Sequence, residues 1–339
     1  MTAGTIVKPK AMRDALLEAL HEAMQTDPEI FFVTADFGSP MLDAIRTDHP
    51  DRFLNVGIAE QNLINISAGL ALEGFTVFSY AIAPFITMRC FEQIRVNLAL
   101  LSEVRSINVN LIGVGTGYSY VVSGPTHQCY EDLTVMRGLP NMQILSPSDH
   151  IAAAALAARC LARSGPKYLR LDAQILPALY DQSSFALDEG FRVHAKGERV
   201  CLVATAYMVH TALKVAKILG AKGISVGVID LFDITGFDEE KFSTLLGDYA
   251  GVVTLEEGFV GRGGLDAMMF DWVARRGLPL RIRNVGVSGG YRFELGTREE
   301  LHELVGIGIE AVCSAVADFV RSLSPILDNS RSVFLGGDK

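Results

Sequence analysis

The stretch RFLNVGIAEQNLINISAGLALEG, residues 52 to 74, puts Glu60 and Gln61 at the start of a helix otherwise built from small and apolar residues. Exposed amides in a first helical turn favour an acid there. Two readings stand side by side. Glu60 caps the helix and does nothing more, or it is screened from water by another subunit, because Ala68, Gly69 and Ala71 keep the helix thin enough for close packing. A carboxylate so placed can share a proton with a ring nitrogen. Downstream, Phe85 in FSYAIAPFITMRCFEQIR offers a flat apolar face for stacking, or it fills a core. His127, in the run Gly124-Pro125-Thr126-His127-Gln128, is a proton donor and acceptor in a loop, or a structural side chain. Arg170, in GPKYLRLD, carries a planar five-donor fork that suits phosphate, or it forms an ion pair at a strand end.

Other chemistries find less support. Cys90, Cys129, Cys160, Cys201 and Cys313 are scattered, with no CxxC pair and no cluster with His. This pattern fits small core hydrophobes in a reducing, cytoplasmic setting. His49, His150, His194, His210 and His302 lack a comparable context. Glu256 and Glu257 are adjacent acids, but nothing around them points to glycoside hydrolysis. Gly261, Gly263 and Gly264 come without a Walker lysine, which argues against a phosphate loop. Both groups read as packing or an interface. Thirty Lys plus Arg against thirty-nine Asp plus Glu give a net charge of -9, so nothing favours a nucleic-acid partner. The N-terminus has no apolar h-region, and no apolar run reaches the roughly 18 residues of a membrane span.

These residues need elements to position them, and 339 residues with 49% hydrophobic content are enough for two cores. Residues 10 to 25 repeat Ala, Leu and Met at helical spacing until Pro28. FFVTAD follows as a short buried strand ending on Asp36. The alternation continues through TVFSY, a helical region from Phe85 to Leu101, INVNLIGV, MQILSP, the alanine-rich helix DHIAAAALAARCLARS and KYLRL. That pattern predicts a doubly wound α/β domain with a mostly parallel sheet over residues 1 to 185. Sequence of mixed polarity from Pro177 to Glu198 marks the boundary. A second, smaller α/β series then occupies 186 to 325, closing on one helix in ELVGIGIEAVCSAVADFVRSL, with residues 326 to 339 as a tail. In open α/β sheets ligands lie beyond the carboxyl ends of the strands. Asp36, Tyr80, the glycines from Gly113 to Gly117 and Ser146 could therefore converge on one cleft.

Val56-Gly57-Ile58-Ala59-Glu60-Gln61-Asn62, followed by Ala68-Gly69-Leu70-Ala71, resembles the signature of thiamine-diphosphate enzymes of the transketolase family. The run from Gly124 to Gln128, Glu131-Asp132-Leu133, Arg137 and Leu139-Pro140-Asn141-Met142 are similar to the same family. The resemblance implies a pyrimidine-binding domain followed by a transketolase C-terminal domain, with thiamine diphosphate as cofactor. It assigns Glu60 to the cofactor's aminopyrimidine ring, where the family's glutamate promotes the tautomer that removes the thiazolium proton. Phe85 would stack on the pyrimidine, with Phe78, Tyr80 and Arg89 nearby, and Asp36 would organise the cofactor interface. His127 would bind the donor sugar and move a proton, and Arg170 would hold a sugar phosphate. GVVTLEEGFVGRGG and GTREELHELVGIGIEAV resemble segments of the family's last domain.

Three departures shape the expected function. The aromatic segment differs from the family's synthase spacing by about one residue. Ser123-Gly124 stands where transketolase has Asp-Gly, and Tyr118 to Val122 is a bulkier insertion, which puts the usual pentose-phosphate substrates in doubt and makes Ser123 a specificity position. Finally, the chain contains no Gly-Asp-Gly segment followed by Asn, the family's grip on Mg²⁺ and the diphosphate. The resemblance therefore implies a small or β subunit whose α partner supplies Mg²⁺ ligands and the diphosphate domain, as α2β2. Such an enzyme would move a two-carbon ketol unit between phosphorylated sugars. The alternatives are a deoxyxylulose-phosphate-synthase-like subunit, a 2-oxo-acid dehydrogenase E1 β subunit and a non-catalytic binding paralogue.

Overall fold

The computed structural model describes residues 8–181 and 187–323. The expected domain boundary at 185/186 and the expected tail lie outside the described residues. The first sheet has six parallel strands in the order β2-β1-β3-β4-β6-β5: β1 Ile30–Thr34, β2 Phe53–Asn55, β3 Thr76–Ile82, β4 Asn108–Val114, β5 Gln143–Leu145 and β6 Gly165–Leu171. Helices α1 (Met12–Met24), α2 (Pro40–Asp48) and α6 (His150–Ala162) pack on one face, whose core includes Leu16, Leu20, Ile45, Phe78 and Leu156. On the other face, α3 (Glu60–Leu72), the segment 85–100 with α4 (Phe91–Ile94) inside it, and the short α5 (Asp132–Arg137) bury Leu63, Ile64, Ile86, Ile94, Leu98 and Leu133. Near-continuous burial along β4 follows from helices covering both faces.

The sequence reading passes over α2 and β2. Ser39 caps α2 through its side chain, with Pro40 in the first turn, a start signal of the usual kind. β2 is three residues at a sheet edge, too short for an alternation pattern to show.

The second sheet runs β11-β10-β8-β9-β7, from β7 Phe191–Ala195, β8 Val200–Ala204, β9 Val226–Leu231, β10 Gly251–Phe259 and β11 Arg281–Val287. All pair in parallel except β7, an edge strand antiparallel to β9. Helices α7 (Met208–Gly220), α8 (Glu239–Leu246) and α9 (Leu265–Arg276) connect the strands. The single closing helix of the sequence reading is two, α10 (Arg298–Val305) and α11 (Ile309–Ser322). A capping box of Thr297 and Glu300 opens α10, and Gly306, at φ +78°, closes it in the left-handed conformation. Only glycine adopts that conformation freely, so apolar periodicity continues through the break while the backbone does not.

The two sheets are tied together at the β5 edge. Ser146 N–H donates to Phe232 O at 2.7 Å and Ile234 N–H to Ile144 O at 2.9 Å, with Leu145 and Asp233 bridged antiparallel. Arg159 pairs with Asp233 in the same seam. The five cysteines are free and buried. Among the described residues, no helix is long and apolar enough to cross a membrane.

Candidate active site

Between β1 and β3 the winding of the first sheet reverses direction, because β2 lies to one side of β1 and the later strands to the other. A crevice forms at such a switch point, beyond the carboxyl ends of the strands. Asp36 follows β1, the 56–59 loop follows β2 and enters α3 at Glu60, Phe85 follows β3, and the loop bearing His127 follows β4.

Asp36 holds the first two of these together. It is exposed and sits at φ +51°. Its N–H donates to Asn55 Oδ1 at 3.1 Å, and Asn55 Nδ2 donates to Asp36 Oδ1 at 3.1 Å. Asn55 Oδ1 also accepts from Gly57 N–H at 2.9 Å, which shapes the turn leading to Glu60.

Glu60 is the first residue of α3 and only 3% exposed. Arg89 Nη1 donates to its two carboxylate oxygens at 2.8 and 2.7 Å. The same guanidinium lies 4.3 Å from the centre of the Phe85 ring, a cation–π arrangement. Phe85 and Arg89 bound a π-helical turn, Phe85–Arg89. Thr87 Oγ1 donates back to Ala83 O at 2.7 Å within this turn. A π turn is how a helix takes in one extra residue, and here it puts Phe85 and Arg89 at the two ends of one turn. Phe85 is half-buried, and His127 meets it edge-on, with ring centres 5.4 Å apart. Tyr120 lies beyond His127 at 6.4 Å, and Thr126 Oγ1 shares a 3.0 Å hydrogen bond with His127 Nδ1. The structure thus gathers Glu60, Arg89, Phe85, His127 and Tyr120 in one row. Ser123 is exposed at the loop's tip, its N–H donating to Tyr120 O at 3.3 Å.

Phe78 and Tyr80 do not join this row. They alternate with the residues that face α3, and both are fully buried on the α1/α6 side of the sheet. Tyr80 packs there on Phe37, with ring centres 5.2 Å apart. The cofactor contact expected of these two side chains gives way to a core role, since strand alternation turns them from the crevice.

Arg170 also requires correction. It is 4% exposed. Nε and Nη2 donate to Asp132 at 2.9 and 3.1 Å, and Nη1 to Ser146 Oγ at 3.1 Å. Tyr168, two residues earlier on the same sheet face, donates its hydroxyl to Asp132 at 2.8 Å. A guanidinium so enclosed is an internal ion pair rather than a phosphate receptor. Asp132 belongs to the Glu-Asp-Leu motif, but its service to Arg170 is missed by sequence reading. The usable signal is Tyr168 and Arg170 at alternate positions of a buried strand, where a guanidinium must find an acid.

Glu256 and Glu257 prove to have separate tasks, because neighbours on a strand face opposite ways. Glu256 accepts from the N–H groups of Leu265 and Asp266 at 3.0 and 2.9 Å, which occupies the amino end of α9. Burial raises its carboxyl to about 7. Glu257 faces Arg298 and His302, so His302, set aside at the sequence level, is a buried partner of an acid. Among the described residues no group of three or more His, Cys, Asp or Glu could hold a metal ion.

The row holds the two kinds of group an aminopyrimidine ring calls for, a flat face at Phe85 and a buried carboxylate at Glu60, both covered by Arg89 in this structure. Comparison with known proteins agrees in kind. Residues 8–178 match the family model of the transketolase pyrimidine-binding domain and residues 190–312 that of the transketolase C-terminal domain. The chain is 30% identical over 302 residues to an apulose-4-phosphate transketolase subunit of Actinobacillus succinogenes, covering 89% of this chain and 96% of that protein. It is 29% identical over 308 residues to the 6-deoxy-6-sulfo-D-fructose transketolase subunit SqwH of a Clostridium species, covering 90% and 92%. Among solved structures it is similar to a split gene transketolase, an inactive β4 tetramer, with a TM-score of 0.80, 31% identity and coverage of 92% of this chain and 98% of that one.

Proposed function

From the premise that this chain belongs to the transketolase family, with its pyrimidine-binding and C-terminal domains, we propose that it is the smaller subunit of a two-subunit, thiamine-diphosphate-dependent enzyme transferring a two-carbon ketol unit between phosphorylated sugars. The observation that carries this reading is the row of Glu60, Phe85 and His127 at the switch point of the first sheet. An α subunit would bring the diphosphate domain and the ligands of Mg²⁺, and two of each chain would form α2β2. Exposed apolar side chains on and beside α3, Ile58 at 77%, Leu72 at 49% and Leu100 at 52%, support a partner closing over this face. A split-gene relative is inactive as a β4 tetramer, and we read this chain likewise as active only with its partner.

Thiamine diphosphate would supply the carbon nucleophile and the electron sink for cleaving and making a bond beside a carbonyl. The chain's own residues bind, screen and move protons. Phe85 provides the stacking face, and Glu60, closed off from water at a helix start, holds or accepts a proton at its carboxylate. Arg89 covers both Phe85 and Glu60, and its 44% exposed side chain has room to swing aside when a ring enters. Thr126 engages His127 Nδ1, leaving Nε2 to exchange a proton with a substrate hydroxyl. Ser123 at the loop tip would touch the substrate and tune its choice.

The test is ketol transfer by the chain with its partner, using sugar phosphates, with Glu60→Gln as the variant. The parent complex should turn over sugar phosphates, while Glu60→Gln should assemble but lose turnover. Normal turnover by the variant would remove Glu60 from the mechanism, and turnover of 2-oxo acids alone would move the chain to the dehydrogenase side of the family.

A further inference from the structure

The loop that carries Tyr120, Ser123 and His127 belongs to the first domain, but its inner half rests on the second. Gly117, at φ +57°, lies so close to Glu257 that a Cβ there would fall 2.1 Å from Glu257 Oε2. Tyr118, 1% exposed, meets the His302 ring edge-on at 5.7 Å. Ser119 O accepts from Gln174 Nε2 at 3.2 Å, and Gln174 Oε1 accepts from Arg298 Nη1 at 3.4 Å. Toward the tip, Leu295 lies 3.8 Å from where a Gly124 Cβ would sit.

These contacts share one buried hub. Arg298, 3% exposed, donates to Glu257 at 2.8 and 2.5 Å and pairs with Asp172 at 2.6 Å. Its guanidinium lies 3.7 Å from the centre of the Tyr207 ring. His302 Nε2 is 2.5 Å from Glu257 Oε1. Burial alone would raise the Glu257 carboxyl, but Arg298 and His302 overrule it and hold it at about 2. Buried ion pairs of this kind contribute little stability compared with an apolar core of the same volume. Within the hub, Arg298 sits between two acids, Glu257 and Asp172, and Glu257 between Arg298 and His302, so each side chain is held from two sides.

We propose that Glu257 and Arg298 are positioning residues, through which the C-terminal domain fixes the 115–128 loop so that His127 faces Phe85. The inference rests on His127 being a substrate contact, but its first test does not. Glu257→Gln keeps the side-chain shape while removing the charge that Arg298 grips. Gly117→Ala drives a methyl into Glu257 from the loop side and leaves the hub's charges untouched.

Hydrogen exchange on the full chain should show amides of residues 115–128 exchanging about tenfold faster or more in both variants, with β8 unchanged. Ketol transfer with the partner present should lose about a hundredfold in kcat/KM, since a displacement of about 1 Å can cost that much, while the Kd for thiamine diphosphate, whose contacts on this chain are Glu60 and Phe85 and not the loop, stays within twofold. Unchanged loop exchange in the two variants would overturn the proposal. So would faster exchange of β8 and the loop together in both, which is the signature of general destabilisation. If the loop loosens selectively and the parent complex transfers no ketol unit, the positioning role stands and the enzymatic reading fails.

Discussion

Arg170→Met offers a sharp test of the placement of this arginine. The substitution keeps much of the side chain's volume but strips Asp132 of its two guanidinium bonds, leaving a carboxylate 1% exposed with the Tyr168 hydroxyl at 2.8 Å as its side-chain donor. Removing one member of a buried pair costs about 3–5 kcal/mol, because the remaining charge is neither solvated nor compensated. For a domain of this size that lowers Tm by on the order of 10 °C. Adding Asp132→Asn removes the stranded charge while its amide oxygen still accepts from Tyr168, so the double variant should recover at least half of the loss. Urea unfolding of the parent, both single variants and the double variant completes the cycle. The ion-pair placement is refuted if Arg170→Met unfolds within about 1 kcal/mol of the parent and raises KM for phosphorylated substrates alone, which would return Arg170 to the phosphate role.

Asp230 is raised from 3.8 to about 7, chiefly by burial. The folded chain therefore keeps a proton that the unfolded chain gives up, and stability present below about pH 4 is lost as pH rises toward 7, by up to about 1.4 kcal/mol per pH unit. Asp230→Asn should remove one proton's worth of that slope, and Glu256→Gln another in the same direction; an unchanged slope in urea unfolding would show the carboxylates already charged at low pH. Gly306→Ala should cost about 1–2 kcal/mol from backbone strain alone, since φ is +78° and no atom lies within 4 Å of the new methyl; equal stability would mean that the junction of α10 and α11 relaxes freely. Phe85→Ala should weaken thiamine diphosphate binding by about tenfold in the assembled complex, and an unchanged Kd would place the ring elsewhere.

Much of this arrangement is legible in the amino-acid sequence because it depends on local pattern. Buried parallel strands read as short apolar runs, and Glu60 at the head of a small-residue helix reads as a screened acid. What escapes is decided by partners distant in the chain. The strand TVFSY shows its apolar character but not which face Phe78 and Tyr80 take. The helical character of 85 to 101 is visible, yet only backbone hydrogen bonding shows that it opens on a π turn. Arg170 reads as a phosphate ligand until Asp132, thirty-eight residues away, is found against it. His302 carries no local signal because its acid, Glu257, lies forty-five residues earlier. Such pairs are recoverable only by asking where each buried charge finds its counter-charge.

The seam at β5 has a bearing on how this protein could be recombined. The outer edge of that strand is completed by backbone from residues 232 and 234 of the second domain. A fragment cut between the domains would bare unpaired amides and carbonyls beside apolar side chains, an edge that recruits other chains into sheets. The two domains are therefore a single unit of exchange. A chimera that carries both domains together should stay dispersed, whereas one that grafts the first domain alone inherits an open edge and a tendency to aggregate.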